Sequence, residues 1–329
     1  MKNKTLLSII IIFFLATGLT TFAQENGEST TTIEAEIIEE IEQEQTVESE
    51  DLGIKEPKFL PSNPFYFLKD WWRDSILAFT FDPLKKAELR QKITNEKLLE
   101  IRKMVENGEK PEILEKAQNK YQIQQKKLQA AIERLKEKKI KDPERLEIFK
   151  DKFTNHQILH DKILEKLETQ VPEEAHTKIK EMRELHIERF EETMFKLDDK
   201  EKATQRLERA LENMKGSELK DFKQLEFLKR IKEKAQGEDK KEMFQQVEER
   251  MTEKFKEKIE QLAPEKQERI KTYIKHIPGD KEKQLEILEE IKNRFENQET
   301  IQKRLEEGKE ELLEKIGKEN LLQNQRRNQ

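Results

Sequence analysis

The sequence predicts an all-α protein: an elongated array of antiparallel amphipathic helices, built as three-helix repeats and preceded by a signal segment and a disordered acidic tether. Three observations predict it. Charged residues make up 41% of the 329-residue chain and hydrophobic residues 33%, against roughly 25% and 45–50% in ordinary globular proteins. That balance leaves two classes, a disordered polyampholyte or long charged helices. From Leu84 onward, however, apolar residues recur at spacings of three and four, which only a helix brings onto one face. Disorder has no reason to keep this phase. Finally, Gly108, Asp142-Pro143, Pro172, Gly216, Gly237, Pro264, Pro278-Gly279 and Gly308 punctuate the chain between stripes.

Residues 1–23 read as a signal peptide or an uncleaved anchor. Lys2 and Lys4 form a basic start, Leu6 to Leu15 an apolar run broken only by Ser8, and Thr21-Phe22-Ala23 a cleavage-type end. Thr5 to Ala23 is also just long enough to span a bilayer. Either reading places the rest of the chain outside the cytoplasm, secreted or at the cell surface. The chain has no cysteine, so disulfides, a lipoprotein anchor, thiolate metal sites and a cysteine nucleophile are excluded.

Residues 24–56 hold twelve acidic side chains against Lys55 alone. A like-charge block repels itself, so a disordered linker is expected there; the run from Ile33 to Ile41 is also compatible with a short helix on a partner. Without residues 1–56 the chain has 62 bases and 58 acids, a near balance with alternating signs. That argues against a nucleic-acid binder, which would carry a basic stripe.

Residues 57–108 form an aromatic-rich head. Eight aromatics fall within 59–81, including both tryptophans of the chain. A helix is expected over about 65–79, capped by Ser62 or Asn63. Asp82-Pro83 and Asp142-Pro143 then pair an N-cap carboxylate with proline at the first helical position. The predicted stripes are Ala87, Thr94, Leu98, Ile101 and Val105; then Leu114, Ala117, Tyr121, Leu128, Ile132 and Leu135; then Leu146, Phe149, Phe153, Ile163 and Leu167.

An internal repeat follows. Residues 172–236 align with 237–296: Ile179 with Phe244, Met182 with Val247, Phe190 with Phe255, and QLEFLKRIK with QLEILEEIK. A weaker copy occupies 109–171, and 297–329 begins a truncated one. Units of about 60–65 residues must stack to bury their stripes.

The stretch LPSNPFYFLKDWWRDSILAFTFDPLKKAELR (60–90), with the charged helix to Gly108, resembles the signature of an uncharacterised bacterial family of exported helical domains, a domain of unknown function. The resemblance covers roughly residues 58–108. It implies an exported, all-helical, non-enzymatic protein and supplies no activity or ligand.

The residues themselves support few sites. No nucleophile, zinc-protease, Rossmann or P-loop motif occurs, so neither an enzyme nor a cofactor is expected. Phe65, Tyr66, Trp71, Trp72 and Phe79 form either a cap on the array or a surface that docks a protein, an envelope component or the membrane interface. His156 and His160, one turn apart, have the spacing of a metal clamp but sit at the edge of an apolar stripe, where packed histidines are the simpler account. His186 aligns with Met251, which points to packing, and His176 with Lys241, which points to exposure. Acid is expected to loosen the array wherever His156, His160 or His186 is buried. The functional expectation is a non-enzymatic interaction or scaffold protein; the alternatives are an extracytoplasmic chaperone or stress sensor and, last, a histidine-based metal binder.

Overall fold

The helix starts at Pro83 and Pro143 follow the capping chemistry written in the sequence. Asp82 Oδ1 accepts the backbone N–H of Leu84 at 2.9 Å, and Asp142 Oδ1 that of Arg145 at 3.0 Å, each just ahead of its proline. Replacing Asp142 with Ala should cost about 1 kcal/mol of stability, read as a lower denaturant midpoint at unchanged slope. Gly108 ends the preceding helix at φ +65°, where its N–H reaches Val105 O and that of Glu109 reaches Met104 O, so an L side chain there would be strained.

The computed structural model describes residues 46–138, 140–216, 220–261, 309–310 and 313. The predicted signal segment, the predicted linker up to residue 45, residues 262–296 of the predicted third repeat and nearly all of the predicted truncated copy lie outside the described residues. Among the described residues there are eight packed helices and no strand: α1 (Tyr66–Ala78), α2 (Pro83–Glu106), α3 (Pro111–Glu137), α4 (Pro143–Gln170), α5 (Glu173–Leu197), α6 (Lys200–Glu212), α7 (Lys220–Lys234) and α8 (Glu238–Gln261).

Helices α2, α3, α5 and α4 close a ring of neighbours, and α6, α7 and α8 extend it from the α4–α5 side. Two apolar cores fill this arrangement. One joins Leu84 and Ala87 to Ile132, Phe153 and Phe190 and continues into α6, α7 and α8; the other joins Leu98 and Ile101 to Leu114, Leu164 and Ile179. The starts of α2 and α4 thus meet the ends of α3 and α5, so the first pair runs opposite to the second. Every predicted stripe residue is buried except Val105 and Leu146, which are partly buried against the cores.

The acidic linker expected over 24–56 does not extend to its predicted end. Residues 46–56 form a packed segment with a 3₁₀ turn at Glu50–Leu52, and Val47, Leu52 and Ile54 enter the second core. Cations from α2 and from the loop after α6 supply the counter-charge that a local reading of the acidic run omits. Arg102 bonds Val47 O and Glu56 Oε1, the latter at 2.7 Å, and Lys215 pairs with Asp51.

Candidate functional site

An ordinary surface helix buries its apolar face and exposes its polar one. Helix α1 does the reverse. Its polar strip faces α2, where Glu100, fully buried, accepts Lys69 Nζ at 2.7 Å and Arg73 Nη2 at 3.0 Å. Arg73 also reaches Glu96, and Asp70 takes Lys97 at 2.7 Å and Lys120 at 3.0 Å. Burial works against the Arg73 charge, yet Glu100 and Glu96 outweigh it and hold the guanidinium above its ordinary pKa; Lys97 and Lys120 likewise outweigh burial and hold the Asp70 carboxyl below its own.

Tyr66 belongs to this latch and not to the surface predicted for it. It is 3% exposed, its hydroxyl donates to Glu100 and accepts from Lys97, and the Lys97 ammonium stands 4.5 Å from its ring centroid. Positions 66, 69, 70 and 73 share one helical edge, so the phase that buries the charges carries the Tyr66 ring in with them. Burial, then Glu100, drive the Tyr66 pKa up, so it remains a neutral phenol.

The opposite edge is left bare. Phe65, Trp71, Trp72 and Phe79 are 65%, 64%, 62% and 79% exposed, and Phe67, Leu68 and Phe81 stand out beside them. Full burial of one such side chain is worth roughly 1.5–3 kcal/mol, so this face carries a large unused driving force. Neither Ser62 nor Asn63 caps α1, whose N-cap is Phe65 without a side-chain cap; Asn63 instead accepts the Phe65 N–H at 2.9 Å in the turn that precedes the helix.

Along one flank of α1 runs a cleft of about 350 Å³ lined by Leu77 and Ala78 of α1, Lys86 and Arg90 of α2, and Lys127 and Arg134 of α3, with Asp74 as its one carboxylate. Among the described residues these four cations make no ion pair; Arg90 Nη1 donates instead to Gln124 Oε1 at 3.1 Å. Burial lowers the Arg90 pKa, Asp74 opposes this, and the neighbouring Arg134 adds to it. Sequence reading missed this cluster because its members come from two helices separated by a turn. The available signal was the four- and seven-residue spacing of Lys86/Arg90 and Lys127/Arg134 on single helix faces.

The histidines lie elsewhere, in a buried polar layer between the two cores. His160 Nε2 bonds Asn95 Oδ1 at 2.8 Å and its Nδ1 meets the Tyr121 hydroxyl at 3.2 Å. His186 Nε2 bonds Gln157 O and its Nδ1 meets Gln125 Nε2, both at 2.8 Å. His156 Nδ1 meets Gln91 Nε2 at 2.8 Å and Asn95 Nδ2 at 3.0 Å. Among the described residues no group of three His, Cys, Asp or Glu side chains is placed to hold a metal, and His160 has both ring nitrogens engaged within the protein. His176 is exposed.

An all-α bundle carrying an inverted amphipathic helix is a class of architecture and not an activity. Residues 58–156 match the family model of a domain of unknown function, DUF5667. The match runs from the approach to α1 into α4, past the 58–108 stretch that carries the resemblance in sequence, and so contains the aromatic face, the latch and the cationic cleft together. No curated protein matches the chain. A solved structure described as a computational design of self-assembling cyclic protein homooligomers aligns over 89% of this chain and 99% of its own, at 12% identity and a TM-score of 0.35, too loose a likeness to carry an argument. No helix among the described residues is long and apolar enough to cross a membrane.

Proposed function

We propose that the protein is a non-enzymatic, extracytoplasmic interaction protein that docks through the exposed aromatic edge of α1. The observation that carries this reading is the inverted helix. The latch of Glu100, Arg73, Asp70 and Lys97 holds α1 with its polar strip inward, so Trp71, Trp72, Phe65 and Phe79 have nothing from the chain to cover them among the described residues. Exposed apolar patches of this kind mark interaction surfaces, and aromatics are the side chains that anchor them. The signal-like segment 1–23 and the acidic residues after it supply the address and the reach.

The helices beyond residue 171 are the scaffold in this reading, a stack of three-helix repeats. The burial of aligned pairs Ile179/Phe244, Met182/Val247, His186/Met251 and Phe190/Phe255 supports it.

Trp71→Ala with Trp72→Ala should change unfolding free energy by no more than about 0.5 kcal/mol, because both side chains already face water. The same change should abolish in-cell crosslinking from a photoreactive residue placed at position 68. Crosslinks of equal yield from position 68 and from Lys180, an exposed residue of α5, would reject α1 as the docking edge. The rival reading, a chaperone that holds unfolded clients on the same face, predicts suppression of client aggregation by the full chain and its loss in the double variant.

A further inference from the structure

The cations beside the aromatic edge, which make no ion pair among the described residues, bear on what that edge docks on. Several buried cations of the bundle are matched by carboxylates: Arg183 with Asp161, Arg206 with Asp198, Lys240 with Glu191. The cleft between α1, α2 and α3 instead gathers four cations, Lys86, Arg90, Lys127 and Arg134, around Asp74 as its one carboxylate. Like charges held together without partners repel one another, and an anion entering the cleft relieves that repulsion. Its volume, about 350 Å³, is at the small end of the roughly 300–1,000 Å³ range of ligand clefts and suits a headgroup better than a folded partner.

The cleft and the aromatic edge belong to one helix surface. Trp71, Asp74 and Ala78 are spaced three and four apart, so the cleft wall on α1 and the exposed tryptophan lie on adjoining rows. A ligand that satisfies both needs phosphates at the cleft and an apolar medium beside it. We propose that this surface docks on an anionic phospholipid membrane, with headgroup phosphates held by Lys86, Arg90, Lys127 and Arg134 and with Trp71, Trp72 and Phe79 in the interfacial layer. Tryptophan favours that layer, and guanidinium groups favour phosphate. The proposal rests on the reading of α1 as the docking edge and names its partner.

The two tryptophans are the only ones in the chain, so intrinsic emission reports this edge directly, in the full-length protein. Vesicles of phosphatidylcholine containing phosphatidylglycerol should shift the emission to the blue, and vesicles of phosphatidylcholine alone should leave it unchanged. Lys127→Glu with Arg134→Glu, both at exposed positions, should weaken the response by at least about tenfold, since each basic residue contributes several-fold to binding at an anionic surface; added salt should weaken it in the wild type. Lys127→Arg should retain the response, and far-ultraviolet circular dichroism should be the same for all variants. An equal shift on both vesicle types would overturn the role of the cationic cleft while leaving α1 as a docking edge. No shift on either would overturn the membrane as partner; α1 would then stand or fall by the position-68 crosslinks, which a protein partner would still give.

Discussion

Lowering the pH from 7.5 to 5.5 is expected to remove roughly 3 kcal/mol of folding stability through His156 and His160 alone. Burial pulls the His156 pKa down to about 4, with Lys152 adding to it, and burial followed by the charges of His186 and His156 holds His160 well below the ordinary histidine range. His186 is also lowered by burial, with Asp161 opposing. The unfolded chain protonates near pH 6.5 while the folded chain stays neutral. The unfolded state therefore binds more protons below pH 6.5, and stability present above that pH is lost as pH falls toward 4. One pH unit below the unfolded pKa, each still-neutral histidine costs about 1.4 kcal/mol. The geometry gives the reason: at His156 and His186, Nδ1 faces amide N–H donors, so a proton there would set donor against donor.

Glu191 and Glu226 work the other way. Burial raises both, so the folded chain takes up their protons first and acid stabilises it through them. Comparing wild type with His156→Gln/His160→Gln isolates the histidines, because the glutamates are common to both. The free-energy difference between pH 7.5 and 5.5 should shrink by roughly 3 kcal/mol in the variant. Equal pH dependence in the two proteins would reject the assignment.

Arg183→Ala should cost about 3–5 kcal/mol, the range for breaking a buried ion pair from one side, and lower Tm by about 10 °C. Arg183 Nε and Nη2 grip Asp161 at 2.7 and 3.1 Å, and the same guanidinium lies 3.3 Å from both Glu165 and Glu168. Burial opposes its charge, but Asp161 and Glu165 outweigh that and keep its pKa above the ordinary arginine value. Removing it strips the guanidinium from three carboxylates, Asp161, Glu165 and Glu168, at the α4–α5 contact. Arg183→Lys should recover only part of the loss, because an ammonium cannot reproduce the fork. A loss below about 1 kcal/mol for the alanine variant would mean that Arg230 and Lys223, which also reach this cluster, neutralise it unaided.

Local patterns made most of the helices legible. Apolar residues at three and four, with Asp-Pro starts and glycine stops, mark α2, α3 and α4 closely, because helix periodicity and capping act within one or two turns. The acidic run was misleading from Val47 onward, because its counter-charges, Arg102 and Lys215, lie far along the chain. Tyr66 reads as a surface aromatic in the sequence because hydrophobicity does not say which edge of an amphipathic helix faces the bundle. The cationic cleft was invisible for a related reason: Lys86 and Lys127 become neighbours only when α2 packs against α3.

The sequence by itself determined that the described part of the chain is helical and where α2, α3 and α4 begin and end, and it collected the aromatics into one segment, because propensity, periodicity and caps are properties of neighbouring residues. Only the tertiary structure decided that α1 lies polar side down, that residues 46–56 join the core, and that four cations with no ion pair among the described residues gather in a cleft on the flank of α1. Those outcomes depend on ion pairs and burial between residues tens of positions apart: Glu100 and Arg73 turn α1, and the apolar edge they leave outward is what a partner has to cover.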